Sequence, residues 1–319
     1  MKIAFFWTGE FSKNILENIL KFDDIDVKLV VSQPDKPVWR KQELIPTPIK
    51  QFALAKNLEI MQPETLKNNF DFFEKLKSIN LDFIIVVAYW KIIPKDILEI
   101  PKFHSINIHW SILPAYRWAS PIQESLKHWD IKTWLTIMKM SEGMDEWDIF
   151  TIKEIDIDIL DKTPDIFEKF AKIWPTLLVD TLRKIIFWEM KWVKQDEIKA
   201  TYCKKISKED WKIDFEKEDV LQIYNKYKAY FPWPGIYNYY FDKKFDIINC
   251  FFEKNDIIWD DDFKLWDVVE FEDHWKNQVW ILCKWWILIL NKVKLEWKKE
   301  MSIKDFINWN KDFLDYNFL

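Results

Sequence analysis

Asn107 and His109 stand two residues apart in the stretch SINIHWSIL, Ser105 to Leu113. On an extended strand that spacing turns both side chains to one face. An asparagine amide so placed donates to a developing oxyanion, and an imidazole moves protons near neutral pH. A third group follows in SEGMDEWD, Ser141 to Asp148, where Asp145 offers a carboxylate. A carboxylate beside an imidazole fixes its orientation and favours its protonated form. The chain has four histidines, His104, His109, His128 and His274. A lone histidine is more often structural than catalytic. His109 is singled out because it closes a predicted parallel strand, and open α/β sheets bind ligands at the carboxyl ends of their strands.

The elements that must position these groups show in the apolar pattern. KIAFFWT (Lys2 to Thr8) and DVKLVVSQ (Asp26 to Gln33) predict buried strands, separated by the helical spacing of GEFSKNILENILK. LDFIIVVAY (Leu81 to Tyr89), apolar on both faces, predicts a central parallel strand. Ser105–Leu113, Thr133–Met140 and Phe150–Ile157 predict further strands. Thr163 to Ile186 predicts a long helix, bent before Pro175. The proline-rich stretch Pro34 to Lys50 predicts a loop running into the helix IKQFALAKN. Strands alternating with helices imply an α/β fold with a doubly wound parallel sheet. From residue 189 the chain turns polar and weakly periodic. Residues 189–206 are therefore expected to be a linker between a first domain, 1–188, and a smaller, mainly β domain, 207–319.

Composition narrows the class. The chain of 319 residues is 49% hydrophobic and 31% charged, as suits a soluble globular protein. No apolar run reaches membrane-spanning length, and MKIAFF has no signal-peptide pattern. Three cysteines, Cys203, Cys250 and Cys283, with no CxxC pair, suggest neither disulfides nor a metal. A cytoplasmic location is expected.

Glycine occurs 3 times and tryptophan 21 times. Together they come to about the 7% share that glycine ordinarily takes. A coding bias against GC-rich codons depletes glycine but does not enrich tryptophan. A UGA codon that means glycine in the cell, but is translated on paper as tryptophan, does both. Most of these tryptophans are therefore expected to be glycines in the living protein.

The motifs resemble the formyltetrahydrofolate-dependent transferases, most nearly the methionyl-tRNA formyltransferases. NIHWSILPAYRWASPIQ is similar to N-[IV]-H-[GAP]-S-L-L-P-x-x-R-G-A-x-P-[IV]-Q, with Trp110 and Trp118 in glycine-like places. FFWTGEF, SQPDKPVWR, TPIKQFA, VVAYWKIIPKDIL, TIMKMSEGMDEWD and FPWPGIY match other motifs of that family. The resemblance is specific over about residues 1 to 240. Trp7, Trp39, Trp90, Trp110, Trp118, Trp129, Trp134, Trp147 and Trp211 fall where the family tends to carry glycine. Indoles there are expected to crowd the carboxyl ends of the strands or swing into solvent.

The resemblance implies a Rossmann-like formyltransferase fold with an OB-like second domain. It implies that 10-formyltetrahydrofolate is the co-substrate, with no metal, and that initiator methionyl-tRNA is the acceptor. Asn107, His109 and Asp145 are the implied catalytic residues, and Ser111, Ile112, Leu113 and Pro114 border the folate. Lys36, Arg40 and Lys41 lie in the loop that enters the tRNA acceptor stem in the family. The net charge of −5 does not mark a broad nucleic-acid surface, so binding is expected to rest on local clusters: this one, Lys204 and Lys205 near the linker, and Lys292, Lys294, Lys298 and Lys299 near the C-terminus. A monomer is expected, with no membrane partner. Other readings stand beside this one, among them a glycinamide ribonucleotide formyltransferase, which needs only the first domain, and an inactive RNA-binding relative, against which the intact Asn107, His109 and Asp145 argue. An amino-sugar nucleotide formyltransferase would share the Asn-His-Asp site. A dinucleotide-binding protein would share the opening strand and helix, but FFWTGEF lacks the G-x-G-x-x-G spacing.

Overall fold

Five apolar segments lie side by side as parallel strands and carry the site at their carboxyl ends. The computed structural model describes residues 1–8, 12–38, 43–89, 91–143, 145–254, 264–273, 276–283 and 286–318. The chain forms two units. The first is Met1–Pro121, Lys132–Asp156 and Phe167–Cys203; the second is Ile122–Ile131, Ile157–Ile166 and Lys204–Leu319.

From the N-terminus run β1 (Lys2–Trp7), α1 (Ser12–Ile19), β2 (Asp26–Val31), β3 (Lys36–Val38), β4 (Glu43–Ile45), α2 (Pro48–Ala55), β5 (Ile60–Met61) and α3 (Phe70–Ser78). There follow β6 (Phe83–Val87), α4 (Lys95–Leu98), β7 (His104–His109), β8 (Arg117–Trp118), α5 (Pro121–Lys127), β9 (Lys132–Lys139), β10 (Ile149–Asp156), α6 (Thr163–Ile186) and β11 (Tyr202–Cys203). The main sheet has the order β10-β9-β7-β6-β1-β2-β5. The chain winds outward from β1 through β2 to β5, then returns to β6 on the other side of β1, so the winding reverses there. In open α/β sheets such a reversal, at the carboxyl ends of β1 and β6, is where ligands bind.

Local chemistry explains the element ends. Thr47 caps α2 by accepting from the Lys50 amide, with Pro48 at the first helical position, where its missing N–H costs nothing. Asn69 caps α3 in the same way. Every residue of β6 is buried, and β6 hydrogen-bonds to β1 and β7 on its two sides. One face of the sheet packs Phe6, Ile84 and Val86 against Phe72 and Leu76 of α3.

Three sequence expectations are revised. β9 runs antiparallel to both β7 and β10, so the sheet is parallel only from β5 to β7. An antiparallel edge on a parallel sheet is common, and the apolar pattern of a strand does not encode its direction. The strand predicted to run to Leu113 ends at His109, because Ser111 to Pro114 turn back on themselves, with the Ala115 amide donating to the Ile112 carbonyl. The proline-rich loop contains the antiparallel pair β3–β4, whose edge position tolerates Pro37. Pro175 lies within α6, one helix of 24 residues.

The second unit is mainly β. Helix α7 (Val220–Tyr230) starts with a capping box of Asp219 and Gln222 and packs on an antiparallel sheet. The sheet's strands are β12 (Ile236–Tyr240), β13 (Lys243–Lys254), β14 (Val268–Asp273), β15 (Lys276–Leu282) and β16 (Trp286–Leu295), in the order β12-β13-β16-β15-β14. A short β17 (Met301–Ser302) joins β16 and leads into α8 (Ile303–Trp309). Phe245, Phe306 and Phe313 form its aromatic centre. Among the described residues no helix is long and apolar enough to cross a membrane.

Ile85 is fully buried in the middle of β6. Ile85→Ala is expected to lower the stability of the first unit by about 2–5 kcal/mol, the range for large-to-small core changes. Denaturant unfolding monitored on this unit checks it; a loss below about 1 kcal/mol would show that β6 is not central to the core.

Candidate active site

Strand β7 delivers Asn107 and His109 to one face at its carboxyl end. His109 is buried and Asn107 half-buried. Among the described residues the Asn107 amide has no hydrogen-bonding partner, so its donors remain available. The His109 Nε2 lies 3.0 Å from the Tyr116 carbonyl. A carbonyl only accepts, so that nitrogen carries the hydrogen. The other ring nitrogen, Nδ1, faces the Asp145 Oδ2 at 3.7 Å. That is too long for a hydrogen bond, but within range of an ionic attraction when the ring is protonated.

Asp145 reaches this place against the direction of its own strand. Because β9 is antiparallel, it ends with Lys139 beside Ile106, three residues back from His109. That is roughly 10 Å at ~3.3 Å per residue. The loop after β9 therefore folds back toward His109. Gly143 makes the turn at φ +103°, a conformation that strains any other residue. Asp145 itself sits at φ 58°, which a short polar side chain tolerates. Its Oδ2 accepts from the Trp118 amide at 2.9 Å. Trp147 pins the end of the loop by packing on Leu113 and Met138.

The loop is also held from behind. Gln195 donates from Nε2 to the carbonyls of Asp145 and Trp147, both at 2.8 Å. Its Oε1 accepts from the Arg117 Nε at 3.2 Å and Nη2 at 2.8 Å. Arg117 is buried to 1% exposure, and Glu197 grips it in a bidentate pair at 2.8 and 2.7 Å. That hydrogen-bonded pairing raises the guanidinium pKa further and lowers the Glu197 carboxyl pKa. β11 pairs with β8 next to these groups. The Thr201 carbonyl accepts from the Arg117 amide, and the Thr201 hydroxyl accepts from the Tyr116 amide. Sequence reasoning passed over Arg117, Gln195, Glu197 and Thr201. Arg117 lies inside a quoted motif, but nothing in its type or spacing announces its burial. The other three lie in the stretch expected to be a linker.

The stretch assigned to the folate has mixed orientations. Ser111 is buried and its hydroxyl donates to the Ala115 carbonyl; Leu113 is buried against Met138 and Trp147. Ile112 and Pro114 are half-buried. Lys36 lies in β3, whereas Arg40 and Lys41 lie outside the described residues. His104, at the start of β7, packs beside Phe150 and Trp192. Burial, with the nearby charge of Lys139, pushes its pKa down to about 4, so it is neutral at pH 7 and far from the catalytic end. Among the described residues no group of three or more His, Cys, Asp or Glu is placed to hold a metal ion.

Indoles occupy the ground around the site. Trp110 follows His109 and packs edge-on against Trp7, Phe167 and Phe170. Trp7 is almost fully buried, with its Nε1 unpartnered among the described residues. Trp118 sits at φ 78° with its ring half exposed and tilted against Tyr202.

An amide, an imidazole and a carboxylate at the carboxyl edge of a sheet whose winding reverses make the arrangement of an α/β enzyme. The comparisons give the family. Residues 1–182 match the formyl transferase family and residues 205–311 match the formyl transferase C-terminal domain. The chain belongs to the formyl transferase family. The methionyl-tRNA formyltransferase of Caldicellulosiruptor saccharolyticus is 42% identical over 310 residues, spanning 97% of this chain and 96% of that one. That of Dictyoglomus thermophilum is 36% identical over 312 residues, with 97% and 96% covered. Among solved structures, the sugar 3N-formyltransferase WlaRD, crystallised with dTDP and 5-N-formyl-THF, has a TM-score of 0.58 at 21% identity, covering 91% of this chain and 97% of that one. HypX from Aquifex aeolicus in complex with tetrahydrofolic acid has a TM-score of 0.60 at 14% identity, covering 98% of this chain and 47% of that one. These two show the shared fold.

Gly143→Ala would force a Cβ into the turn that carries Asp145, where it meets the Glu146 carboxylate at 3.1 Å. The expected cost is about 1–2 kcal/mol, or a Tm roughly 2–4 °C lower per kcal/mol for a unit of this size, together with slower turnover. Thermal melts and kcat measured side by side check this. A variant unchanged in both would show that the turn does not set the position of Asp145.

Proposed function

We propose that this chain transfers the formyl group of 10-formyltetrahydrofolate to the α-amino group of methionine on initiator tRNA. The observation that carries the reading is the 42% identity to a methionyl-tRNA formyltransferase along nearly the whole of both chains. The sugar formyltransferase WlaRD stands at 21%. The folate-bound neighbours support a folate co-substrate of the same kind.

The reaction joins the methionine nitrogen to the formyl carbon and breaks the bond from that carbon to the folate nitrogen, which takes up a proton. Asn107 donates its free amide to the oxyanion of the tetrahedral intermediate. His109 takes the proton of the attacking amine at Nδ1, the ring nitrogen without a hydrogen, and gives it to the departing nitrogen. Asp145 holds the imidazole by its charge. An α-amino group with a pKa near 8 is a ready nucleophile at neutral pH, so no metal is required. Ser111 to Pro114 shape the wall beside the folate. Lys36, Arg40 and Lys41 meet the tRNA backbone, where positive charge supplies sequence-independent affinity.

The test is formyl transfer to charged initiator tRNA set against an amino-sugar nucleotide. The tRNA is expected to be formylated and the sugar not; the reverse would establish the sugar-directed reading. His109→Ala and Asp145→Ala are each expected to lower kcat by about 100-fold or more, with folate affinity little changed. Near-normal turnover in both would remove them from the chemistry.

The same reading includes the tryptophans. Trp118, Trp129, Trp188, Trp266 and Trp297 all have φ between 60° and 78°, a region that strains an indole-bearing residue and suits glycine. The buried Nε1 groups of Trp7, Trp147 and Trp174 have no partner among the described residues, though a buried donor ordinarily finds one. Both observations support glycine at UGA-encoded positions. Mass spectrometry of the protein from its native cells is expected to find glycine at 118 and 129. Replacing Trp7, Trp90, Trp110, Trp118 and Trp147 by glycine is expected to raise the solubility and activity of a chain expressed with 21 tryptophans. Intact tryptophan in the native peptides overturns the proposal.

A further inference from the structure

We propose that Gln195 is a positioning residue for formyl transfer: it holds the Asp145 loop against its tendency to follow β9 away from His109. The inference rests on the reading of Asp145 as the partner of His109.

The amide of Gln195 has four hydrogen-bonding valences, two on the oxygen and two on the nitrogen. All four are used. Arg117 fills the oxygen's two with Nε and Nη2, and the carbonyls of Asp145 and Trp147 fill the nitrogen's two. An arginine only donates and a carbonyl only accepts, so the amide has one possible orientation. Gln195 thereby reads the backbone on both sides of Glu146 and sets the height of the loop. Among the described residues no other side chain hydrogen-bonds to the carbonyl of Asp145.

The strap that carries Gln195 is itself fixed at both ends. Val193 exchanges two backbone hydrogen bonds with Ile149, the first residue of β10, both at 2.8 Å. Thr201 is bonded to Pro114, Tyr116 and Arg117. Tyr116 is the residue whose carbonyl holds the His109 ring. One segment, residues 193 to 201, therefore reaches both partners of His109: the Asp145 loop through Gln195 and the Tyr116 turn through Thr201. The buried Arg117 is the post between them, and it keeps Glu197 when Gln195 is changed. Loss of Gln195 is thus expected to free the loop without unfolding the unit.

Gln195→Glu is the discriminating variant. It keeps the length and still accepts from Arg117, but it turns an oxygen toward two carbonyl oxygens that have lost their donor. We expect kcat to fall 10- to 100-fold, with KM for the formyl donor and for the acceptor changed less than about threefold, the pattern of a lost transition-state interaction. Gln195→Met, which fills the space without donating, is expected to behave alike and serves if the glutamate variant folds poorly. In an Asp145→Ala background neither change is expected to lower kcat further, since residues acting through one another are not additive. Amide hydrogen exchange of residues 141–148 is expected to quicken in both variants and gives a readout independent of the acceptor. Four results overturn the proposal: unchanged kcat, a loss that is additive with Asp145→Ala, a loss confined to KM, or unchanged exchange in the loop. If Asp145→Ala itself leaves turnover normal, the assignment of Asp145 fails and the inference fails with it. If Asp145→Ala is crippled and Gln195→Glu is not, the inference alone is wrong.

Discussion

A guanidinium removed from water must find acceptors for five donors, because it cannot shed its charge. Arg117 is in that position, and much of the site is arranged by the acceptors it finds. Glu197 supplies two oxygens and Gln195 a third. Both come from the same short segment, so satisfying one buried cation draws that segment against the turn that follows β7. Once there, Gln195 has its nitrogen free to face the Asp145 loop. A buried charge is weak evidence for net stability. Its effect here is on placement: Glu197 and Gln195 have few other ways to meet Arg117, and the strap follows them.

This arrangement answers a difficulty created by the sheet. A strand parallel to β7 would carry its following loop directly to the catalytic edge. β9 is antiparallel and releases its loop beside Ile106. The chain returns by a glycine turn at Gly143 and a left-handed Asp145, both of which cost conformational freedom unless the surroundings determine them. The Trp118 amide, the packing of Trp147 and the two bonds from Gln195 are those surroundings. The His109 ring is then caught between a backbone carbonyl on one nitrogen and a carboxylate facing the other. Asn107, one alternation back along the strand, shares its face.

The tryptophans fit this frame poorly, and in two distinct ways. Some take backbone angles that belong to glycine, as Trp118 and Trp129 do. Others, such as Trp7 and Trp147, fill buried space with a polar N–H left unanswered. Trp7 and Trp110 together occupy the carboxyl ends of β1 and β7, where a ligand of this fold would lie.

The sequence alone determined the class of fold and named the candidate residues Asn107, His109 and Asp145. Buried strands announce themselves because their apolar pattern is set by local geometry, as in β1, β2 and β6. Asn107 and His109 were legible because a strand alternates faces every residue, so their spacing places them together without any tertiary information. Asp145 was legible as a member of the site through the motif around it, but not through its strand, whose direction no apolar pattern encodes. The tertiary structure decided that direction, and with it the need for a returning loop. It also decided that Arg117 is buried and that residues 193–201, polar and without period, are stitched to the catalytic turns. Those facts depend on hydrogen bonds between residues about 50 to 85 positions apart. A polar segment reads as a linker when its partners are unknown, because its hydrogen-bonding groups are satisfied equally well by water.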